Sequence, residues 1–465
     1  MTDIRIFRGN QIGGCVTVIS TEYEGDIHRI MIDYGSSLPG SDKQKDFQYP
    51  WEEKPVDAVF FTHYHGDHAG RLMEIPKDIP IYMGATARQV LINIQEALGK
   101  SKNVDDAEQH RQEAALLKDN KRVKVFRRKG RCYETVHLPG FQVEPYSVDH
   151  SAYDAYMFLI EAADAERPDG KYRILHTGDF RGHGRRGKVM MPLIESYIHE
   201  FGKRKVDTLV IEGTMMSRSK EAVLSETEMQ MQAARFLYQH KYAFLICSST
   251  NLDSLASFYQ AAQMTNRRYG RYMYVYSEYF RKQLELFTNT AGRFTDVYKF
   301  ERVARLLDMD TIPPGQKKKV PMTRREMMEK FGFLAVIKPE DFYGKYIDMF
   351  IDAYKAGRID EMPVLIYSMW DGYVQEYRIG KNGEKTVNKA KKDAWIDFLR
   401  RQEKKGVLVK HLHTSGHAAV QMLADVINAV DPQDKIYPMH TECAEDFKML
   451  PIKPELRQRI VTMPE

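Results

Sequence analysis

The fold of this chain is decided by the stretch Phe60-Phe-Thr-His-Tyr-His-Gly-Asp-His-Ala-Gly70. It overlaps the end of Val56-Asp-Ala-Val-Phe-Phe61, an apolar, β-prone run that predicts a buried strand. Three imidazoles and a carboxylate then follow, and these groups bind zinc-like ions through N and O. A turn can point the first two histidines at one ion and the aspartate and third histidine at a second ion. The alternatives are a polar loop facing water and a single structural zinc, although structural zinc sites favour cysteine, which this stretch lacks.

Length and composition limit the class of protein. A chain of 465 residues is too long for one ordinary core and predicts two or three domains. No apolar run approaches the ~18 residues that span a bilayer, and the N-terminus lacks the apolar core of a secretory signal, so we expect no membrane partner. The cysteines are far apart without a Cys-x-x-Cys pair, which indicates reduced thiols and a cytoplasmic location. The net charge of +5 permits a polyanionic partner without requiring one.

Further polar side chains stand at the ends of other predicted strands. His150 ends one such run, and Asp179 follows another after a glycine. Successive strand ends assemble a metal site at a sheet edge, and the two oxygens of Asp179 allow it to bridge two ions. Asp33 ends the strand before the metal stretch, where it is placed to orient a ligand histidine. The alternative for Asp33 is a turn-forming aspartate before a glycine, and the sequence does not separate the two.

The pattern changes after Glu212, the end of another predicted strand. From 213 to 406 strands alternate with helices, one of them opened by the capping box Ser225-Glu-Thr-Glu228, which predicts a parallel α/β unit. From 407 to 465 the first pattern returns, with a strand, a helix over 418–430 and a strand ending in His440. We therefore expect residues 1–212 and 407–465 to form one domain, interrupted by residues 213–406.

Four other segments carry weaker expectations. Residues 84–118 predict one helix. The run 121–131 has seven basic residues in eleven, and 317–325 is a second basic run. Either run can follow a phosphate backbone, but a solvated surface is the alternative for both. The helix expected after His413-Thr-Ser-Gly-His417 offers free backbone N–H groups, which suit a phosphate.

These residues, in this order, resemble the metallo-β-lactamase superfamily. Its fold is an αββα sandwich with the metals at one edge of the paired sheets, and Asp33 matches its first acidic motif. Glu212-Gly-Thr, His413-x-Ser415-Gly-His417 and His440 resemble motifs A, B and C of the β-CASP nucleases, which carry an inserted α/β domain. Motif C is His in the branch that acts on RNA, represented by ribonuclease J and the cleavage-and-polyadenylation endonucleases, and typically Val in the DNA crosslink-repair branch. The resemblance thus implies RNA, single strands favoured, as the partner, with DNA as the alternative.

The resemblance also implies a division of roles at a site for two zinc ions, to which manganese is also suited. One ion would take His63, His65 and His150, the other Asp67, His68 and His440, with Asp179 bridging. A water activated between the ions would attack the phosphorus and leave 5′-phosphate and 3′-hydroxyl ends. His417 would be the general acid, kept protonated by Glu212. His413 and Ser415 would hold a neighbouring phosphate.

Three rival functions follow from the same residues. They are a DNA nuclease of the same fold, a catalytically inactive scaffold of an RNA-processing complex, and a small-molecule hydrolase such as a lactonase. Exonuclease and endonuclease action are not separated by the sequence.

Overall fold

The computed structural model describes residues 2–38, 47–100, 106–130, 132–218, 223–270, 272–313, 321–379 and 385–462. The chain divides into two compact units, Met1–Val223 with Gly416–Glu465, and Leu224–Ser415. Residue 131 and residues 317–320 of the two basic runs lie outside the described ranges.

The first sheet of the first unit uses its strands in chain order. Antiparallel pairs join the first three strands and parallel pairs join the rest: Asp3–Phe7, Val16–Tyr23, Asp26–Ile32, Ala58–Phe60, Ile81–Met83 and Val123–Val125. Glu24 and Gly25 both have positive φ, 55° and 91°, which closes the second and third strands into a tight hairpin. Short helices follow the fourth strand at Gly66–Ala69 and Leu72–Glu74.

The second sheet of this unit contains the strand that returns from the end of the chain. Its order is Lys435–Met439, Thr208–Glu212, Lys171–His176, Ala155–Ala163, Phe141–Val148 and Val136–Leu138. The first two neighbouring pairs are parallel and the others antiparallel. A two-stranded ribbon joins Arg128–Lys129 to Cys132–Tyr133. The helical segments are Gly187–Val189, Met190–Leu193, the π-helix Ile194–Ile198, Thr214–Arg218, Val420–Val430, Ala444–Met449 and Pro454–Gln458.

The core of the first unit lies between its two sheets. Ile30 and Phe60 of the first sheet pack in one apolar cluster with Phe158 and Ile174 of the second sheet. The opposite face of the second sheet packs against the helix Val420–Val430 in a second cluster. On the first sheet, helices Ala85–Leu98 and Ala107–Lys118 pack together, and the latter contacts the strand Val123–Val125. The predicted αββα sandwich is confirmed.

The single helix predicted over 84–118 is two helices in the structure. The side-chain amide of Gln95 donates to Glu113 at 2.7 Å, and Arg111 donates to the carbonyl of Gly99 at 2.8 Å, so the two helices lie side by side. Both carry the same polar and aliphatic pattern, which is why periodicity alone did not separate them. Residues 101–105 lie outside the described ranges.

The second unit contains a parallel sheet between helices. The strands in the described ranges run in the order Val303–Arg305, Met273–Tyr276, Phe333–Ile337, Tyr242–Cys247, Val364–Ser368 and Leu408–His411. The α-helices are Glu226–Gln239, Leu252–Tyr269, Glu278–Thr290, Arg324–Phe331, Asp341–Lys355 and Asp393–Lys404. Shorter elements are the 3-10 turns Ala291–Arg293, Asp296–Tyr298, Leu306–Asp308 and Asp371–Tyr373, and the ribbon Tyr377–Ile379 with Lys385–Val387. The predicted parallel α/β character and the capping box at Ser225 are confirmed.

The unit boundaries differ from the predicted ones at 212/213 and 406/407. The strand Leu408–His411 pairs in parallel with Val364–Ser368 and so completes the sheet of the second unit. The chain returns to the first unit only after this strand, from Gly416 onward. At the other junction, the hydroxyl of Thr214 lies 2.8 Å from Nδ1 of His440, which keeps this segment with the first unit. Neither pairing is visible in a run of sequence, because each joins residues far apart in the chain.

Within the described ranges, no helix has both the length and the apolar character that crossing a bilayer requires.

Candidate metal centre

The metal loop, residues 62–68, follows the strand Ala58–Phe60. Hydrogen bonds to the backbone carbonyls of the loop hold it in place. The amide N–H groups of Gly14, Tyr34 and Ser36 donate to carbonyls of the loop at 2.8–2.9 Å. Gly35 is required by this close approach, because a Cβ at that position would lie 1.8 Å from the carbonyl oxygen of Asp67. The loop is therefore held by two neighbouring segments, at residue 14 and at residues 34–36, before any ion binds.

The first group of potential metal ligands is His63, His65 and His150. Nδ1 of His65 lies 3.0 Å from Nε2 of His63 and 3.3 Å from Nε2 of His150. Burial, followed by the neighbouring imidazoles, lowers the pKa of His63 and of His150, and burial lowers the pKa of His65 to about 4. These three rings are therefore neutral at pH 7, which is the form that binds a metal.

The second group is Asp67, His68 and His440. Oδ2 of Asp67 lies 3.2 Å from Nε2 of His440 and 3.9 Å from Nε2 of His68. His440 stands at the end of the strand Lys435–Met439, is fully buried, and has a φ of 52°, a left-handed conformation that a residue other than glycine adopts rarely. The last histidine of the chain thus lies beside the early cluster, 373 residues away in sequence.

Asp179 lies between the two groups. Its Oδ2 is 3.1 Å from Nε2 of His68, and its Oδ1 is 4.0 Å from Nδ1 of His440. Burial would raise the pKa of Asp179, but the imidazoles of His440, His68 and His417 hold it well below the usual range, so the carboxylate is ionised. Its Oδ1 is buried and makes no hydrogen bond in the described part of the chain. A buried carboxylate oxygen without a donor, among converging imidazole nitrogens, fits a site built for cations.

Asp33 orients the second group. Its carboxylate lies 2.8 Å from Nδ1 of His68 and accepts from the backbone N–H and the hydroxyl of Thr62, each at 2.8 Å. Burial would lower the pKa of His68, but the carboxylates of Asp179, Asp33 and Asp67 raise it well above the usual value. Asp33 also has a φ of 59°, as a turn residue would. The two alternatives given for Asp33, a residue that orients a ligand histidine and a turn-forming aspartate, therefore both describe its position. Such partners fix the ring and tautomer of a metal ligand.

Glu212 and His417 meet at the same place. Nδ1 of His417 lies 3.5 Å from Oδ2 of Asp179 and 3.6 Å from Oε2 of Glu212. Glu212 is fully buried, and its carboxylate accepts from the backbone N–H groups of Thr214 and Ala418 at 2.8 and 3.0 Å. The His417 side chain is 21% exposed, so the ring has access both to the centre and to solvent.

Two predicted phosphate contacts, His413 and Ser415, belong to the second unit, and the groups of the first unit form without them. The helix expected to start at 418 begins at Val420 instead, with Ala419 at its N-cap. Ala419 has an extended backbone, with φ −64° and ψ 153°, so helical dihedral angles begin only after it. The N–H of Ala418, before the helix, donates to Glu212.

Several residues that support the centre were missed from the sequence. Thr62 directly precedes the first ligand, and its hydroxyl lies 3.1 Å from Nδ1 of His63. The N–H of Gly13 donates to Nε2 of His440 at 3.0 Å, opposite the hydroxyl of Thr214 on Nδ1. The adjacency of Thr62 to the ligands was a usable signal, but nothing in the sequence pointed to Gly13.

A buried ion pair behind the centre was also missed. Arg181 is fully buried, its N–H donates to the carbonyl of Asp149 at 2.7 Å, and its Nε lies 3.6 Å from Oδ1 of the Asp149 side chain. Asp149 directly precedes His150, and Arg181 follows Asp179 by two residues. The pair therefore ties together the two strand ends that carry these ligands.

With this geometry in place, residues 14–90 match the family model of the metallo-beta-lactamase superfamily. The prediction of that superfamily is confirmed for this segment, which carries the metal loop, and members of the superfamily are mostly metal-dependent hydrolases.

Solved structures extend the likeness. A crystal structure of a protein of unknown function from Enterococcus faecalis V583 is 18% identical, covers 100% of this chain and 98% of its own, and has a TM-score of 0.62. This likeness is one of fold, and it extends over the length of the chain. MEM-A1, a subclass B3 metallo-beta-lactamase from a soil metagenome library, is 15% identical over 45% of this chain and 75% of its own, with a TM-score of 0.26. A diphosphatase from the PhnP family is 17% identical over 49% of this chain and 71% of its own, with a TM-score of 0.25. A search of curated proteins found no match.

Proposed function

We propose that this chain is a metal-dependent ribonuclease of the β-CASP type, which hydrolyses RNA phosphodiester bonds and leaves 5′-phosphate and 3′-hydroxyl ends. The observation that supports it most is the meeting of Glu212, His417 and His440 at Asp179. His440 is also a ligand of the second group, whereas Glu212 and His417 belong to neither of the two ligand groups. A nuclease can use this pair, because it must protonate a leaving oxygen beside the metals.

The donor set fits two zinc ions, held by His63, His65 and His150 and by Asp67, His68 and His440, with Asp179 facing both. When bound, the ions supply positive charge that favours ionisation of a nearby water and neutralises the phosphate oxygens. Manganese suits the same nitrogen and oxygen ligands.

His417 is the proposed general acid. Its Nδ1 faces the carboxylates of Asp179 and Glu212, so Nε2 is the ring atom left to donate a proton to the departing 3′-oxygen. Glu212 is itself held by two backbone N–H groups, which fixes the ring opposite the phosphate. Glu212 therefore positions His417 and balances its charge while Nε2 carries the proton.

The remaining parts of the proposal concern the substrate. His413 and Ser415 are proposed to hold a phosphate next to the cleaved bond, and single-stranded RNA is proposed as the partner. Cys15, Cys132, Cys247 and Cys443 are free thiols, which suits a reducing, cytoplasmic compartment.

The test is cleavage of end-labelled RNA that carries a 5′-monophosphate, a triphosphate or a hydroxyl, beside DNA of the same sequence, with added zinc or manganese. We expect RNA to be cut, with mononucleotides indicating an exonuclease and discrete fragments an endonuclease. A strong preference for DNA would refute the choice of RNA. Intact RNA together with hydrolysis of small esters would refute the nuclease.

A variant pair tests the role of His417. His417→Ala should keep its metal and lose about 10²–10⁴-fold in turnover. His28→Ala is the matched control, because His28 is also a partly buried imidazole beside a carboxylate, 3.2 Å from Asp57, but belongs to none of the ligand groups. If His417→Ala and His28→Ala cleave RNA at equal rates, another group donates the proton to the leaving oxygen.

A further inference from the structure

An open cavity of about 460 Å³ lies between the free edges of the two sheets of the first unit. Val123–Val125 is the last strand of the first sheet and Val136–Leu138 the last strand of the second, and both line this edge cavity. Three of its lining side chains are arginine or lysine, Arg88, Lys124 and Arg127; one is His137 and one is acidic, Glu134. Residues 123–127 of the basic run 121–131, whose role the sequence left open, thus supply one wall of the cavity.

Within the described ranges, no carboxylate pairs with the basic side chains of this wall. Lys124 and Arg127, which line it, are exposed and form no ion pair there, and the same is true of the exposed Lys121 and Lys129 beside it. Lys124 lies 3.3 Å from the hydroxyl of Tyr82, and Arg88 donates to Asn120 and to the carbonyl of Val123. Clustered like charges repel one another, and a polyanion that neutralises them is bound with release of its counterions.

Protection of a free sheet edge explains only part of this arrangement. A lysine on an edge strand hinders pairing with another chain. Lys124 has that effect without help from other basic side chains. Arg88 comes from the helix after the neighbouring strand, and Arg127 lies beyond the strand's end. Convergence of the three on one cavity is not needed to protect an edge, whereas it is expected of a site for anionic groups.

The cavity is near the metal loop in the same sheet. In the parallel register Phe60 is paired with Tyr82, and Tyr82 is paired with Lys124. Two strand spacings therefore separate Lys124 from Phe60, about 10 Å. Since Phe60 stands three residues before His63, a chain with one phosphate at the metal centre can place later phosphates over the edge cavity.

We infer that the edge cavity binds the phosphate backbone of single-stranded RNA away from the cleaved bond, an inference that rests on the proposed ribonuclease function. Lys124 and Arg127 each neutralise a phosphate, and Arg88 shapes the wall between them. The contacts are to the backbone, so binding there is independent of base sequence.

The experiment measures binding of fluorescein-labelled oligouridylate to the full chain by anisotropy, in chelator so that nothing is cut, over a range of KCl concentrations. Lys124→Gln/Arg127→Gln should reduce the slope of log K against log salt by about 1.4, at about 0.7 for each contact with a single strand, and weaken binding about 25-fold near 0.1 M salt. The matched control is Lys205→Gln/Lys435→Gln, which removes the same charge from two exposed positions at the other end of the second sheet's strands. Melting temperatures of both variants verify folding.

If Lys124→Gln/Arg127→Gln binds the RNA with the same affinity and the same salt slope as the control variant, the inference is overturned. Equal competition by polyglutamate would also overturn it, in favour of an acidic protein partner. Cleavage of RNA by the wild-type chain is scored separately, in zinc. If the wild type cuts RNA while the cavity variant binds like the control, only this inference fails. If the wild type cuts no RNA, the proposed function fails.

Discussion

Replacing Arg181 by methionine should destabilise the buried part of the fold that supports the metal centre. The arginine side chain is fully buried, and its partner Asp149 is 2% exposed, with 3.6 Å between Nε and Oδ1. Methionine keeps the length and the apolar stem but removes the charge, so the carboxylate of Asp149 is left in the interior. A buried ion pair contributes little net stability, but loss of one partner is costly because the other charge stays behind.

The size of the effect follows from the surroundings of Asp149. Breaking a buried pair costs about 3–5 kcal/mol. Nε of Arg186 lies 3.9 Å from the same oxygen, and this side chain is 26% exposed, so it retains part of the compensation. We therefore expect the lower end, about 3 kcal/mol, or a melting temperature lower by about 6–12 °C for a unit of this size. The amount of bound metal should fall as well, because His150 adjoins Asp149.

The assay is a thermal melt of each variant with metal analysis of the same sample. Arg181→Met/Asp149→Asn should recover most of the lost stability, because no charge is then left unpaired. Arg5→Met is the control, since Arg5 pairs with Asp3 at 2.9 Å on the surface and its loss should change little. An Arg181→Met protein that melts like the wild type and keeps its zinc would refute the reasoning.

Four further predictions concern the centre itself. Gly35→Ala should abolish metal binding, since its Cβ would lie 1.8 Å from a loop carbonyl, whereas Gly66→Ala has open space and should load normally; metal analysis compares them. Asp33→Asn should weaken zinc binding about 10–100-fold in a chelator competition, because the amide tolerates the positive φ but no longer holds His68 as a carboxylate does. His417→Ala should lower RNA cleavage with metal retained, and unchanged cleavage would exclude it as the acid. Zinc uptake near neutral pH should release protons, because the carboxylates around His68 outweigh its burial and raise its pKa; calorimetric heats that do not depend on the buffer would contradict this.

Much of the centre was predictable from the sequence because each ligand directly follows a β-prone run. His63, His150 and Asp179 follow Ala58–Phe60, Phe141–Val148 and Lys171–His176. The last two strands lie on either side of Ala155–Ala163 and are antiparallel to it, so both end at the same edge of their sheet. A strand end is a local property, which period-2 patterns and glycine turns reveal. The superfamily and the α/β character of the insertion were accessible for the same reason.

The parts that were not predictable depend on contacts between distant segments. The division of 84–118 into two helices is fixed by Gln95 meeting Glu113, and the place of Leu408–His411 by pairing with Val364–Ser368. The Asp149–Arg181 pair has no periodic signature at all, because a buried charge is indicated only once its burial is known.

The protons of the metal-free centre are distributed unevenly, and this affects how it fills. In the first group burial lowers the pKa of every imidazole, so His63, His65 and His150 present lone pairs at neutral pH. In the second group burial acts in the same direction, but the carboxylates of Asp179 and Asp67 reverse it and raise the pKa of His440, as they do for His68. His68, whose pKa is raised well above its usual value, therefore holds a proton where a cation is to sit, and its charge balances the buried acids. An ion entering the first group displaces nothing, whereas one entering the second must displace a proton, so filling of the second group becomes easier as pH rises.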